Sequence, residues 1–303
     1  MEFWQHQSRL AHREGDTMGH PPAGAPGHGR PGMPQEKTSI PGVKSLVAVA
    51  SGKGGVGKTT VAVNLALALA RSGASVGLLD ADIYGPNVPT MLGTSEQPTM
   101  IDERTIRPVE AQGLRMISMG LLNPGDRPMI WRGPMLHQVI QQFLRSVEWG
   151  QLDYLIVDLP PGTGDVQLSL IQTVPLTGAV LVTTPSVVAL ADVRKAIEMF
   201  RQVNVDVLGV VENMSYFDAP GGERVYIFGQ GEGRRVADTF GVPFLGEIEI
   251  DPQIRIGGDT GKPVTAAGPD TPGAASFYAV ARAVAARVDA AHAAGTGPVV
   301  KID

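Results

Sequence analysis

The chain has 303 residues, a formal net charge of −5 and 43% hydrophobic residues, which suits one large α/β domain with extensions and argues against broad electrostatic binding of nucleic acid. No apolar run reaches the roughly 20 residues that a membrane-spanning helix needs, and the opening residues lack a basic segment followed by an apolar one, so the expected location is the cytoplasm, with no membrane partner. There is no cysteine, which excludes disulfides, thiolate catalysis and any iron–sulfur cluster ligated by this chain's own thiolates.

Residues 1–42 are rich in Gly, Pro and His without helix or strand periodicity and read as a disordered tail. His6, His12, His20 and His28 fall there at a spacing that matches no compact metal motif. The first strand is predicted at Val47–Ala50 and the first helix at Val61–Ala70, with Ser51-Gly-Lys-Gly-Gly-Val-Gly-Lys-Thr-Thr60 between them. Gly52, Gly57, Lys58 and Thr59 fill the pattern G-x-x-x-x-G-K-[ST] of a phosphate-binding loop. Gly52, Gly54, Gly55 and Gly57 carry no Cβ, so the backbone from Gly52 through Val56 to Thr60 can curl its N–H groups toward phosphate oxygens. Lys58 is then placed for the β- and γ-phosphates of ATP and the Thr59 hydroxyl for Mg²⁺. Lys53 adds a second ammonium inside the loop, and two such cations repel unless an anion lies between them.

Ala74–Asp80 reads as a buried strand ending in acid, with Asp82 just beyond. Carboxylates at the carboxyl end of a parallel strand lie beside the ligand crevice. Asp82 could polarise water near a γ-phosphate, and either acid could instead cap the next helix. Residues 93–113 read as turn-rich, Leu114–Met119 as a strand and Met135–Val147 as a helix preceded by Trp131, read as packed, and Arg132, read as a surface residue. Tyr154–Val157 is an apolar strand whose terminal Asp158 is expected to hold Mg²⁺ directly or through water. The turn Pro160-Pro-Gly-Thr-Gly164 follows, with glycine amides available to a γ-phosphate. Strands at 178–184, 207–213 and 244–250 alternate with helices at 190–203 and 233–240, and an alanine-rich helix occupies 274–291. Such repeated βα units imply a single P-loop NTPase domain over 43–290, with a mostly parallel twisted sheet and helices on both faces. Residues 291–303 are expected to be a flexible tail.

Around Lys53 the sequence resembles the deviant Walker A ATPases, the group of MinD, ParA, the nitrogenase iron protein and the Mrp/ApbC iron–sulfur carriers. The resemblance implies an ATP-bridged homodimer in which Lys53 reaches the partner's nucleotide. It also implies that Asp82 orients the attacking water and joins Thr59 and Asp158 around Mg²⁺, with Asp80 behind, and that Asn213 hydrogen-bonds the adenine edge. Lys53, Lys58, Asp82 and Asp158 are thus the candidate catalytic residues.

The stretches Asp80–Pro89, Trp131–Pro134, Leu152–Asp165, Val211–Phe217, Ile227–Gly229 and Gly241–Gly246 are similar to the Mrp/ApbC branch, over about residues 40 to 285. That implies an ATP-hydrolysing carrier or assembly factor for iron–sulfur clusters, acting on client proteins. Cluster-carrying members have Cys-Pro-x-Cys just after the Asn-Met-Ser segment. Here that place reads Tyr216-Phe-Asp-Ala-Pro-Gly-Gly-Glu223, so the ATPase half of the family function transfers and the thiolate half does not. The alternative is a cluster-free ATP switch, either a partitioning or positioning ATPase of the MinD/ParA type or a chaperone-like one. The last helix has few bulky apolar residues and breaks at Gly295 and Gly297, so it is not suited to anchoring on a membrane.

Overall fold

The computed structural model describes residues 39–82, 85–122 and 133–295, all within one unit. The expectations for the His-bearing tail and for Trp131 and Arg132 lie outside the described residues.

The chain begins with β1 (Val43–Ala50), followed by α1 (Lys58–Arg71), β2 (Val76–Asp80), α2 (Val88–Leu92), β3 (Thr99–Met100), β4 (Ile106–Arg107), β5 (Val109–Ala111) and β6 (Leu114–Ser118). It continues through α3 (Gly133–Ser146), β7 (Leu152–Asp158), α4 (Asp165–Thr173), β8 (Gly178–Thr183), α5 (Val187–Gln202) and β9 (Val207–Glu212). Last come β10 (Phe217–Asp218), β11 (Arg224–Val225), α6 (Glu232–Phe240), β12 (Phe244–Glu247), α7 (Pro252–Asp259) and α8 (Ala275–Ala293).

Eight strands form one sheet in the order β12-β9-β8-β1-β7-β2-β6-β5. Every pairing in it is parallel except that of β5 with β6. β1, β2, β7 and β8 are buried almost throughout, as strands covered on both faces must be, and this explains their continuous Val, Leu, Ile and Ala runs. Because β7 enters between β1 and β2, the carboxyl ends of three strands meet: Val49 pairs with Asp158, and Asp158 with Asp80. The loop after β1 opens directly above this junction, the place where open α/β sheets bind ligands.

Helix α1 is apolar on nearly every face because it is enclosed, with Val61 through Leu69 buried in the cluster that also takes Phe277, Val280, Ala281, Val284 and Val288 of α8. Those α8 positions recur at three- and four-residue steps, so small alanines let one stripe approach α1 closely. A polar tie crosses this core. Asn64 donates Nδ2 to the Thr60 carbonyl, Thr265 Oγ1 donates to Asn64 Oδ1, and the Tyr278 hydroxyl donates to the Thr265 carbonyl. It fixes the first turn of α1, and with it the loop, against the far helix layer.

Several elements differ from expectation. α1 starts at Lys58 rather than Val61 because Gly57, at φ +79°, turns the loop straight into the helix. α5 starts at Val187, where Ser186 in extended conformation provides the entry. The turn-rich stretch before β6 contains the antiparallel edge strand β5, and α4, α7 and the β10–β11 hairpin were not anticipated. Among the described residues no helix is long and apolar enough to cross a membrane.

Candidate nucleotide-binding site

Loop residues 51–57 wrap above the junction of β1, β7 and β2. Gly57 cannot be replaced without strain: its φ is positive, and a Cβ there would lie 2.2 Å from Asn213 Nδ2. Gly52 has a separate reason, since a Cβ would sit 2.4 Å from the Asp192 backbone of α5. The loop is thus squeezed between α5 and the end of β9.

Lys58 is 5% exposed. Its Nζ lies 2.6 Å from Asp158 Oδ1 and 3.5 Å from Asp82 Oδ2. Thr59 Oγ1 donates to Asp158 Oδ2 at 2.7 Å. One cation, one hydroxyl and two carboxylates therefore converge at the strand ends. Asp158 is fully buried behind Lys58 and Thr59 and does not itself line the cavity. Lys53, by contrast, is half-buried at the cavity wall, and its ammonium has no partner among the described residues.

Asp80 is wholly buried and organises the next turn. It accepts from Ser118 Oγ at 2.8 Å, from Asp82 N–H at 3.1 Å and from Val88 N–H at 3.4 Å, so it does cap the entry to α2. Burial pushes the Asp80 carboxyl up to about 8 and the Asp158 charge beside it adds to the rise, while the Ser118 hydrogen bond and Lys58 oppose it. Burial also raises Asp158, offset by Lys58 and Thr59. With the ammonium resting on Asp158, the proton belongs on Asp80. A carboxyl raised on folding stabilises fully below its unfolded value of 3.8 and loses that contribution as pH rises through about 8. Asp80→Asn, which keeps the neutral shape, is therefore expected to flatten the decline of thermal stability between pH 4 and 8. A thermal melt series checks it: an unchanged slope would place the proton elsewhere.

The loop borders a cavity of about 890 Å³ lined by Lys53, Gly54, Gly55, Gly57, Lys58, Thr59, Thr60, Asp82 and Asn213. Of the expected nucleotide contacts, Gly52 and Val56 are not on its wall. Val56 is buried, and its carbonyl accepts from Asn213 Nδ2 at 2.8 Å. The donor half of the Asn213 amide is thus bound to the loop, and it positions the loop as well as bordering the cavity. The expected role of the Gly162 amide is also altered, because it donates to the Ser51 carbonyl at 3.0 Å and ties the turn after β7 to the loop.

The rest of the cavity lining was not foreseen. It includes Met214, Phe228, Glu249, Ile250, Asp251, Ile254 and Arg255, contributed by the segments after β9, β11 and β12 and by α7. Met214 and Phe228 fall in the stretches Val211–Phe217 and Ile227–Gly229 singled out above; for the others the alternation Ile248-Glu-Ile250 was the available signal.

The segment standing where the thiolate turn would be is a short hairpin. β10 pairs with β11, Ala219 N–H donates to the Glu223 carbonyl, and Arg224 holds Asp218 through two bonds of 2.8 and 3.2 Å. The Arg224 guanidinium also lies 3.5 Å from the centre of the Tyr216 ring. The turn is closed by charge and stacking within itself.

A parallel sheet with a glycine loop leaving its central strand, and a lysine set on carboxylates of the neighbouring strands, defines a P-loop NTPase of the ParA/MinD class. The family described as NUBPL iron-transfer P-loop NTPase, within ParA, matches residues 42–285, and the chain belongs to that family. The iron-sulfur cluster carrier protein of Deinococcus radiodurans is 57% identical over 252 residues, covering 82% of this chain and 71% of that one. The iron-sulfur cluster transfer protein NUBPL of Mus musculus is 46% identical, covering 85% and 81%. Among solved structures, a nucleotide-binding protein of Archaeoglobus fulgidus in complex with ADP is 40% identical, with a TM-score of 0.66 over 74% of this chain and 88% of that one. The septum site-determining protein MinD of Pyrococcus horikoshii, complexed with Mg-ADP, is 25% identical at a TM-score of 0.59, covering 79% and 95%.

Proposed function

We propose that this chain is a cytoplasmic, Mg-ATP-dependent homodimeric switch in iron–sulfur cluster transfer, whose cargo is held by thiols that the chain itself does not supply. The observation that carries the ATPase reading is the convergence of Lys58, Thr59, Asp158 and Asp82 beneath the loop. Thr59 Oγ1 and Asp158 are hard oxygen donors, the chemistry Mg²⁺ prefers, and an ion bound by one or two protein oxygens keeps positions for phosphate and water. Mg²⁺ there would neutralise the charge of the β- and γ-phosphates. Lys58 then turns from Asp158 to the phosphates, exchanging one anion for another. Asp82, on the cavity wall beside Lys58, orients the attacking water. Lys53, half-buried and without a partner of its own among the described residues, reaches the nucleotide of a second subunit. Residues 43–290 are read as the ATPase domain, and the expected tail from 291 is corrected at its start, because α8 runs to Ala293, with Ala291 buried and His292 Nε2 2.9 Å from Ser45 Oγ.

The cargo is where the chain parts from its relatives' names. A thiolate-type cluster needs cysteine thiolates, and the chain has no cysteine. The Asp218–Arg224 closure of the hairpin favours a second reading, a cluster-free switch that acts on client proteins. Anaerobic reconstitution of the purified protein with ferrous iron and sulfide, with and without a small thiol and Mg-ATP, tests the first against the second. Cluster absorption that appears only with added thiol supports transfer through supplied ligands. A stoichiometric cluster on the chain alone would refute that division of labour, and no cluster in any condition would leave the cluster-free switch.

A further inference from the structure

We propose that Glu249 reads the exocyclic amine of an adenine base in the cavity, an inference that rests on the nucleotide reading above. The backbone holds this residue firmly. Ile248 N–H donates to the Glu212 carbonyl at 2.9 Å, Ser215 N–H donates to the Ile248 carbonyl at 2.9 Å, and Ile250 N–H donates to the Tyr216 carbonyl at 2.7 Å. Ile248 is fully buried in the core, whereas its neighbour Glu249, two residues beyond the end of β12, lines the cavity.

Glu249 Oε2 is shielded from solvent and has no hydrogen-bond partner among the described residues. A carboxylate oxygen in that condition is costly unless something donates to it. The same cavity is lined by Met214, Phe228, Ile250 and Ile254, apolar surfaces suited to the faces of a heteroaromatic ring. The loop takes the phosphates, which leaves the base to the part of the cavity lined from outside the loop.

A carboxylate only accepts, so it calls for a donor on the base. Adenine supplies its N6 amine. Guanine also supplies donors, at N1 and N2, so the carboxylate alone does not choose between the purines; the ATP reading above makes adenine the base, and GTP enters the test as its competitor. With ATP as the nucleotide, Glu249 matches the adenine N6 amine. A site built to receive a substrate N–H rejects an analogue lacking it, because its own polar group is left unpaired.

The test is equilibrium binding of ATP, purine riboside triphosphate, which lacks the 6-amino group, and GTP to the full-length wild type and to Glu249→Ala and Glu249→Gln. The wild type is expected to prefer ATP over the analogue by about tenfold or more, the scale of a hydrogen bond to a charged group. Glu249→Ala should bind the two equally, while Glu249→Gln, whose amide oxygen still accepts, should keep part of the preference. Each readout is a ratio on one protein, so a partly unfolded sample does not mimic the effect. An unchanged ratio in Glu249→Ala, or a wild type that favours GTP, overturns the assignment. A wild type that binds none of the three overturns the nucleotide reading itself.

Discussion

Lys58→Ala is expected to lower ATP affinity by at least about 100-fold, since it removes a charged contact to phosphate, each worth roughly 1.5–3 kcal/mol, and leaves two carboxylates facing the incoming anion. The second effect is the larger consequence of this site's geometry. Asp158 is wholly buried and its Oδ1 rests 2.6 Å from the Lys58 ammonium. Removing one partner of a buried pair typically costs about 3–5 kcal/mol, part of which the protein recovers by protonating the orphaned acid. A fall in thermal stability should therefore accompany the loss of binding and ease at low pH. Calorimetric titration below the melting temperature separates the two, and near-native affinity there would show that phosphate binding does not pass through Lys58.

Lys53→Ala is expected to behave in the opposite way. Its side chain is half-buried and unpaired among the described residues, so its loss should change stability by no more than about 0.5 kcal/mol. ATP binding to the single subunit should also persist. Turnover should fall by roughly 10³-fold, the scale at which a cation supplied in trans to a phosphoryl-transfer site acts. Wild-type specific activity should rise with protein concentration as dimers form, and the variant's should not. A variant that keeps its turnover would remove Lys53 from catalysis.

The loop was legible because its chemistry is local: glycines, Lys58 and Thr59 are contiguous, and the flanking apolar run and helix give them their context. The alternation of strands and helices was equally legible from apolar runs and turn residues. What the sequence could not convey is order within the sheet. That β7 slips between β1 and β2 is a property of the whole topology, yet it sets Asp80 against Asp158 and delivers the proton to Asp80. The lining outside the loop is obscure for a similar reason, being assembled from segments after three different strands. Glu249 reads as one polar residue in a strand-like run until Oε2 is seen without a partner among the described residues. Short elements such as β5 and the β10–β11 hairpin carry too few residues to show a period. The hairpin's closure depends on Arg224 reaching back to Asp218 and Tyr216, which spacing alone does not announce.

The claim that ATP is handled between two subunits is tested most directly by mixing two inactive variants. Lys53→Ala retains its own Asp82 but has no lysine to lend, and Asp82→Ala lends its lysine but cannot orient water. In a mixed two-fold dimer one site is complete, so an equimolar mixture should recover roughly a quarter of the wild-type sites and the corresponding ATP turnover. Turnover no greater than the sum of the two separate variants would contradict the account and place Lys53 in its own subunit's site, or outside the chemistry altogether.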